Sequence, residues 1–434
     1  MKHSKLLLLL LGLPMLVQLT SCQPDPRPRV LVSTDIGGTD PDDNQSMAHL
    51  LMYSNRFQLE GLVSSPSYGE GSKEEILRMI DLYEKDLPQL KKGAKGYPTP
   101  NYLRSICKQG QKGLASFLGY GQATEGSDWI VHCARKKSDQ PLWVLVWGGL
   151  EDVAQALHDA PDIQDNIRVY WIGGPNKKWG VNGYAYIVEN FPDLWIIENN
   201  ATYEGFIYNR QRPGRYGNDY YDQCMEGHGF LAEDFINYYN GRIKMGDTPS
   251  LLYMMDGDPA DPHGDSWGGR FEETTRSARR IFNQLPTQAD TVPVYSVMEI
   301  RLRGPELENT ELAANNYNLE KPCFKMIAVK QTWDGFYLGH GQYVIRYSPK
   351  RPECVEYEIF SDQIPEFPHL SGSFTVNNEW PGPEHSDNWQ VGAQWFTDLQ
   401  DTAQFDNGRQ GAKTISCHRD EVLADWAELF GKIQ

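Results

Sequence analysis

Four carboxylates lie within nine residues of one loop, which is the strongest chemical signal in the sequence. They are Asp35, Asp40, Asp42 and Asp43. Because like charges this close repel one another, crowding them directly behind an apolar strand is costly unless a cation neutralises them. Ligands that are all oxygen suit a hard ion, so the loop indicates Ca²⁺ first and Mg²⁺ second. The alternative is a solvated acidic turn whose last two aspartates cap the following helix.

The elements around this loop follow a repeated pattern of strand, turn and helix. Residues 30–32 form a short apolar strand before the loop, and residues 46–53 have apolar positions at helical spacing behind it. Residues 142–147 are an unbroken apolar run, which is typical of a strand covered on both faces. The alternation predicts an α/β domain over residues 29–285, with a mostly parallel sheet and helices on both faces. Ligands of such sheets bind at the carboxyl ends of the strands, where the acidic loop lies.

The character of the sequence changes after residue 285. Short apolar segments bounded by Pro, Gly and Asn follow one another through residues 286–392, with no strong helical pattern between them. This predicts a small antiparallel β-rich module. Residues 422–430 have the pattern of a closing helix. We therefore expect the module to be an insertion before the last helix and residues 393–434 to complete the α/β domain; a plain C-terminal domain is the alternative.

The N-terminus predicts the compartment. A basic start precedes the apolar run of residues 6–11, which is too short to span a bilayer and is typical of a signal peptide. The segment ends in Leu-Thr-Ser-Cys, which resembles the lipobox of a bacterial lipoprotein. We expect a signal peptide at residues 1–21, lipidation at Cys22 and a proline-rich tether over residues 22–28. The protein would then be lipid-anchored outside the cytoplasm, in the outer membrane on its periplasmic or surface side. An ordinary signal peptide with a chance cysteine is the alternative.

The chain is acidic, with a formal net charge of −17 at pH 7. Such a balance argues against a nucleic acid polymer or an anionic membrane surface as the partner. Contact with a membrane is therefore expected only through the lipid anchor. Cations, by contrast, are compatible with an acidic chain.

The acidic loop resembles the N-terminal signature of the inosine-uridine nucleoside hydrolases, D-x-D-P-G-x-D-D. Asp35 matches the second Asp of that signature, and Asp42 and Asp43 match its closing pair. Ser33 stands in place of the first Asp, and Ile36 stands in place of the Pro. Six residues separate Asp35 from Asp42 where the signature has three.

Later segments resemble further motifs of the same family in the same order. Residues 147–154 resemble the G-P-L-T-N-I-A turn, which implies that the backbone carbonyl at Glu151 is a calcium ligand. Gly257-Asp258-Pro259 resembles the late His-Asp-Pro, which implies that Asp258 completes the metal shell. The segment behind residues 172–174 resembles the region that holds ribose hydroxyls, and its matching side chains are Asn182, Glu189 and Asn190.

Other segments resemble a bacterial family that is labelled cellulose-binding protein with a nucleoside-hydrolase-like domain. They are residues 34–43, 190–195, 266–271 and 410–419. This resemblance covers about 29–285 and 393–434 and leaves the β-rich module uncovered. The family label implies contact with a polysaccharide.

The resemblance implies a metal held by Asp35, Asp43, Asp258 and the carbonyl near Glu151. A bound ion would grip two vicinal sugar hydroxyls and one water, and Asp42 or Asp35 would take the proton of that water as general base. The C1 bond would then break through an oxocarbenium-like state. His228 and His263 are the candidates for protonating the leaving group, with a surface or core position as the alternative for each.

Substrate contacts are expected from Asp42, Asn182, Glu189, Asn190 and Trp267. Several aromatic residues near the predicted mouth of the sheet could stack on a sugar ring or base, with core packing as the alternative. They are Trp179, Tyr184, Tyr186, Trp195 and Trp267.

Two functions are compatible with these motifs. The first is a Ca²⁺-dependent hydrolase of a glycosidic or N-ribosidic bond, acting on a small sugar-containing substrate or an oligosaccharide. The second is a carbohydrate-binding lipoprotein that keeps the fold without turnover. A homo-oligomer is compatible with either function.

Overall fold

The computed structural model describes residues 25–207, 216–308 and 310–433. The predicted signal peptide and the lipidation site at Cys22 lie outside the described residues. Within the described ranges, no helix is both long enough and apolar enough to cross a membrane.

The described chain forms eighteen strands. In chain order they are β1 (Arg29–Thr34), β2 (Gln58–Ser64), β3 (Cys107–Gln109), β4 (Leu142–Val146), β5 (Ile167–Ile172), β6 (Ile196–Asn199), β7 (Phe271–Glu273), β8 (Arg276–Ser277), β9 (Arg279–Phe282), β10 (Thr291–Pro293), β11 (Val297–Arg303), β12 (Phe324–Ala328), β13 (Gln331–Gly339), β14 (Gln342–Tyr347), β15 (Cys354–Phe360), β16 (Leu370–Asn377), β17 (Trp389–Gln390) and β18 (Trp395–Asp398).

Eleven α-helices connect or cover these strands within the described ranges. They are α1 (Asp42–Met52), α2 (Lys73–Gly93), α3 (Pro100–Ser105), α4 (Glu125–Ala134), α5 (Glu151–Asp159), α6 (Gly174–Trp179), α7 (Val181–Asn190), α8 (Phe230–Phe235), α9 (Thr248–Tyr253), α10 (Lys413–Ser416) and α11 (Arg419–Phe430).

The larger part of the chain is built around one eight-stranded sheet. Its order is β3-β2-β1-β4-β5-β6-β18-β7, and every pair is parallel except the edge pair of β18 with β7. All residues of β1 and β4 are buried, because helices cover both faces of the sheet. One face packs against α1, α2, α9 and α11, and the other packs against α4, α5 and α7. The predicted mostly parallel α/β fold is confirmed.

A second sheet forms the β-rich module. Its order is β10-β16-β15-β12-β13-β14-β11-β9, and it is antiparallel except where β10 joins β16 and β9 joins β11. The module has its own apolar core, which includes Trp333, Tyr347 and Phe374. Its first strand is β9, which begins at Arg279, so this sheet starts a few residues before the expected boundary at residue 286.

The chain returns to the first sheet after the module. β18 pairs in parallel with β6, through Trp395 opposite Ile196, and α11 then packs on the sheet. The module is therefore inserted in the sequence between strands that are neighbours in one sheet, as the sequence predicted. The loops behind β1, β2, β4, β5 and β6 meet at the carboxyl edge of that sheet, which is where the candidate site lies.

Candidate functional site

Three aspartates from two distant segments meet at the carboxyl edge. Asp42 and Asp43 form the first turn of α1, and Asp247 precedes α9. Each offers a carboxylate oxygen, and these three oxygens all lie within 4.8 Å of one another. Asp43 and Asp247 are only 2% and 4% exposed. We call Asp42, Asp43 and Asp247 the aspartate triad.

Asp35 lies beside the triad. It directly follows β1, and its carboxyl group lies next to that of Asp43. The hydroxyl of Thr34 also donates a hydrogen bond to Asp43. A Cβ atom added at Gly148, behind β4, would come within 2.9 Å of the Asp35 Cβ, so the glycine lets this loop approach closely.

The carboxyl groups of this cluster resist ionisation. Burial raises the pKa of Asp35 to about 7, with the charge of Asp42 adding to the effect. Burial likewise raises the pKa of Asp42 to about 7, although Lys244 opposes the shift. The pKa values of Asp43 and Asp247 also lie well above the ordinary range, because both groups are buried among other carboxylates.

One cation of the chain lies at the rim of the cluster. The Nζ atom of Lys244 is 3.6 Å from the carboxylate of Asp42 and is also paired with Asp40. The hydroxyl of Tyr239 donates a hydrogen bond to Asp40. Lys244 therefore neutralises the outer, more exposed part of the cluster, whereas the buried side faces no described cation of the chain.

The donor set fits a hard divalent cation. It consists of carboxylate oxygens only, which Ca²⁺ and Mg²⁺ prefer. One oxygen of Asp247 is buried and has no hydrogen-bond partner among the described residues, which is costly in a metal-free fold. A bound divalent ion would satisfy that oxygen and offset the repulsion within the triad.

Glu151 is a further buried acid at this edge. It opens α5 behind β4, and it is 2% exposed. Its two side-chain oxygens have no well-formed hydrogen bond, although the backbone N–H groups of Ala115 and of Glu151 itself favour the charged form. Burial raises its pKa to about 8. The carboxyl group packs closely against Gly149 and Gly180, where an added Cβ atom would come within 1.9 Å and 3.0 Å of its oxygens.

The structure places Asp258 away from the aspartate triad. Asp258 is exposed, and its charge acts on Arg168, the second residue of β5. Arg168 lies at the amino end of that strand, so Asp258 is at the opposite edge of the sheet, roughly 15 Å or more from the site. In place of the expected Asp258, the structure brings Asp247 to Asp42 and Asp43.

Neither of the two histidines expected near the leaving group lies in the cluster. The Nδ1 atom of His228 is 2.9 Å from the carbonyl oxygen of Ile433, and the adjacent Gly229 packs on Asp86. Asp86 is thirteen residues along α2 from Lys73, which places His228 about 20 Å from the end of α2 that faces the site. His263 is exposed and lies 3.8 Å from Glu273.

The expected substrate-binding residues are dispersed. Asn182 lies in the first turn of α7 at the carboxyl edge, where its amide donates a 3.2 Å hydrogen bond to the carbonyl of Ala115. Glu189 and Asn190 are exposed at the other end of α7, because this helix runs back toward the amino edge. Trp267 is half-buried and packs on the main core, directly after Ser266, which bonds the backbone of Asp256.

Sequence reasoning missed Asp247 and Lys244. Gly246-Asp247-Thr248-Pro249 contains an acid just before a proline at the start of a helix, which is an N-terminal helix signal. That signal was available, but Gly257-Asp258-Pro259 lies only eleven residues later and is more similar in sequence to the His-Asp-Pro motif of the family. No local pattern distinguishes Lys244 from the other lysines of the chain.

The aromatic candidates divide between core and surface. Tyr184 is fully buried, and Trp195 packs at an edge-to-face angle on Trp143 in the main core. Tyr186 is half-buried, and its hydroxyl lies 2.9 Å from His158. Trp179 differs from these, because it stacks on the exposed ring of Tyr68 at the carboxyl edge, with ring centroids 4.9 Å apart.

Two protein families match the chain. Residues 29–271 match the family described as cellulose-binding Sde182, nucleoside hydrolase-like domain. Residues 291–362 match a domain of unknown function, DUF5060, which lies in the β-rich module. No match was found among curated proteins.

Solved structures with a similar chain path are distant in sequence. A nucleoside hydrolase-related hypothetical protein from Saccharophagus degradans, associated with carbohydrate metabolism, is 19% identical; the match covers 81% of this chain and 100% of that one, with a TM-score of 0.49. An inosine-uridine preferring nucleoside hydrolase from Bacillus anthracis is 16% identical over 58% of this chain and 86% of that one, with a TM-score of 0.38.

Proposed function

The chain belongs to the cellulose-binding, nucleoside hydrolase-like family, and from that premise we propose that it is a Ca²⁺-dependent hydrolase of a glycosidic or N-ribosidic bond. The observation that carries the proposal is the aspartate triad, whose three oxygens lie within 4.8 Å of one another at the carboxyl edge. The unpartnered buried oxygen of Asp247 supports it, because such an oxygen is stabilised by a cation.

We assign Asp42, Asp43 and Asp247 as the residues that hold the ion. Ca²⁺ is preferred over Mg²⁺ because carboxylates from two separate segments form a flexible set of oxygen ligands. When bound, the ion would supply Lewis acidity, which orients two vicinal sugar hydroxyls and acidifies a water molecule.

Asp35 is then left as the general base. Its carboxyl group adjoins the triad, so it is placed to accept the proton of a water molecule bound there. The surrounding negative charge would stabilise an oxocarbenium-like state at the anomeric carbon. We propose no residue as the acid for the leaving group, because His228 and His263 both lie elsewhere.

The second candidate function is carbohydrate binding without turnover. Two observations favour it: Ser33 stands where the related enzymes carry an acid, and the two histidines that could serve as the acid lie apart from the cluster. Lys244 also competes with a metal ion for Asp42. Both functions share one ligand class, a sugar-containing small molecule or an oligosaccharide.

The place of action is part of the proposal. The apolar run of residues 6–11 and the lipobox-like segment ending at Cys22 support a lipoprotein outside the cytoplasm, in the outer membrane. The acidic net charge supports a lipid anchor as the means of membrane contact.

The proposal is tested in two steps. Calcium titration by calorimetry should show binding at micromolar concentration or tighter in the wild type and none in Asp43→Asn. Nucleosides and neutral oligosaccharides are then incubated with the calcium-loaded protein, and release of a free sugar is measured. Sugar release that Asp35→Asn reduces at least a hundredfold, with calcium binding retained, supports the hydrolase.

Two other outcomes separate the candidates. Calcium binding without sugar release from any of these compounds would support the second candidate function, carbohydrate binding without turnover. If the wild type binds no calcium, the metal-dependent mechanism is excluded.

A further inference from the structure

A groove of about 460 Å³ lies between the carboxyl edge of the α/β domain and the β-rich module. Three segments of the α/β domain form one wall: residues 67–70 behind β2, residues 112–116 behind β3, and Trp179, Val181 and Asn182 where α6 meets α7. Residues 332–336 of β13 form the opposite wall. The groove adjoins the aspartate cluster, because Thr39 of the acidic loop donates a 2.7 Å hydrogen bond to the carbonyl of Tyr68.

The floor of the groove carries a flat aromatic surface. Tyr68 and Trp179 are stacked with an interplanar angle of 26°. Tyr68 is 43% exposed, so a large part of this residue stays accessible to solvent although its ring stacks on Trp179. An exposed aromatic ring of this kind can stack on the apolar C–H face of a pyranose, and this contact needs no charged group.

Polar atoms that lack partners surround this surface. The Nε1 atom of Trp179, the Oδ1 atom of Asn182 and the Oγ atom of Ser116 are all buried and make no hydrogen bond to a described residue. They comprise one donor, one acceptor and one hydroxyl that can be either. Buried polar groups are costly when unpaired, and all three residues line the same groove. A ligand with hydroxyl groups supplies both partners that these atoms need.

The two walls are held together by several contacts. The Nε1 atom of Trp333 donates a 3.0 Å hydrogen bond to the carbonyl of Lys178. Arg346 donates a 2.9 Å hydrogen bond to the carbonyl of Phe117 and stacks on its ring. The guanidinium of Arg346 is also paired with the buried Glu299, so it is not available to bind an anion. The groove is therefore preformed, which reduces the entropic cost of binding.

The charges of the groove disfavour an acidic sugar. Glu70, Glu320 and Asp334 are exposed along its walls. Lys112 is the exposed cation among the lining residues. An anionic oligosaccharide would meet more carboxylates than cations.

We propose that this groove is a binding site for a neutral oligosaccharide, formed jointly by the α/β domain and the β-rich module. The ring of Tyr68 stacks on one sugar unit, while Trp179, Asn182 and Ser116 bond its hydroxyls. The proposal extends the carbohydrate-binding part of the proposed function, and it needs no metal ion. It assigns a role to the module, whose strand β13 supplies one wall.

The test is calorimetric titration of the protein with neutral hexasaccharides of glucose, xylose and mannose, in the presence of EDTA. At least one of them should bind the wild type. Tyr68→Ala should weaken that binding at least tenfold, because it removes the stacking surface. Trp179→Phe should weaken it about threefold, because it keeps a ring and removes the N–H donor. Tyr102→Ala is the matched control, since Tyr102 is 44% exposed and lies outside the groove, and it should change the affinity less than twofold.

Three results would overturn the proposal: no binding of any neutral hexasaccharide, equal binding by Tyr68→Ala and the wild type, or tighter binding of oligogalacturonate. Asp43→Asn separates this proposal from the metal site, and it should bind the hexasaccharide within twofold of the wild type. If the wild type binds no calcium, the proposed hydrolase fails. The expected affinities for the hexasaccharides do not change in that case, because they are measured in EDTA.

Discussion

Single residues decide whether the cluster holds a cation. Asp43 in α1 and Asp247 just before α9 are far apart in the sequence, yet both carboxyl groups are buried and lie close together. Burial among other carboxylates, where water cannot screen the charges, raises the pKa values of both groups. Such an arrangement is stabilised by a divalent ion and destabilised by its removal.

The choice between Asp247 and Asp258 gives the first prediction. Asp247→Asn should weaken calcium binding by about 30-fold or more, because it removes a buried anionic ligand of the triad. Asp258→Asn should change the affinity less than twofold, because Asp258 is exposed at the other edge of the sheet. Calorimetric titration of both variants measures the difference. The reverse order of effects would show that the late Asp-Pro motif, and not the triad, binds the ion.

Lys244 gives the second prediction at this scale. Its ammonium group is 3.6 Å from the carboxylate of Asp42 and repels a cation bound there. Lys244→Met should therefore tighten calcium binding by about tenfold at low ionic strength. Raising the salt concentration should narrow the gap between the variant and the wild type. Weaker binding by Lys244→Met would mean that this residue supports the site instead of competing with the ion.

At the scale of elements, a buried ion pair joins the carboxyl edge to the β-rich module. Lys177 of α6 is fully buried, 2.6 Å from Glu198 of β6 and 3.9 Å above the ring of Trp380, which follows β16. Glu198 also accepts hydrogen bonds from Tyr184 and from Trp395 of β18. One carboxylate thus connects α7, β6 and β18, so these elements depend on each other.

This pair gives the third prediction. Lys177→Met should lower the free energy of unfolding by about 3–5 kcal/mol, because it leaves Glu198 charged and buried without its cation. The double variant with Glu198→Gln should recover part of that loss, since it removes the uncompensated charge. Lys136→Met is the control: its pair with Glu60 is partly exposed, so the loss should be about 1 kcal/mol or less. Urea unfolding measures all three, and a double variant less stable than Lys177→Met would contradict the explanation.

At the scale of the whole molecule, the acidic cluster couples the stability of the fold to pH. The pKa of Asp35 and that of Asp42 are about 7 in the folded protein, above the ordinary value of 3.8, and those of Asp43 and Asp247 are also raised. The folded state therefore binds more protons than the unfolded state between about pH 4 and pH 7. By linkage, the contribution of these groups to stability is lost as the pH rises through this window.

The fourth prediction follows from that sign. In EDTA, the free energy of unfolding should fall as the pH is raised from 5 to 8, and calcium should restore stability at pH 8 because it binds the folded state. Urea unfolding at several pH values measures both effects. The double variant Asp43→Asn/Asp247→Asn should show a flatter pH dependence and no response to calcium. A metal-free wild type whose stability stays constant over this range would contradict the prediction.

The sequence by itself determined the part of the site that comes from one continuous segment of the chain. The apolar residues of β1 and the start of α1 are adjacent in the chain, so the position of Asp35, Asp42 and Asp43 at a strand end was predictable. Alternation of strand and helix patterns likewise predicted the parallel sheet. The change of pattern near residue 286 predicted the antiparallel module, because strand periodicity is also a local property.

Only the tertiary structure decided which distant residues join that loop. Asp247 and Asp258 both lie in segments with similar turn residues, and their spacing along the chain does not indicate which edge of the sheet each one reaches. The same holds for Glu189 and Asn190, whose direction depends on how α7 packs on the sheet. The groove between the α/β domain and the β-rich module could not be predicted from the sequence either, because β13 and the loop of Tyr68 come together only through tertiary packing. Local patterns fix elements, whereas the contacts between elements depend on burial of surfaces from the whole chain.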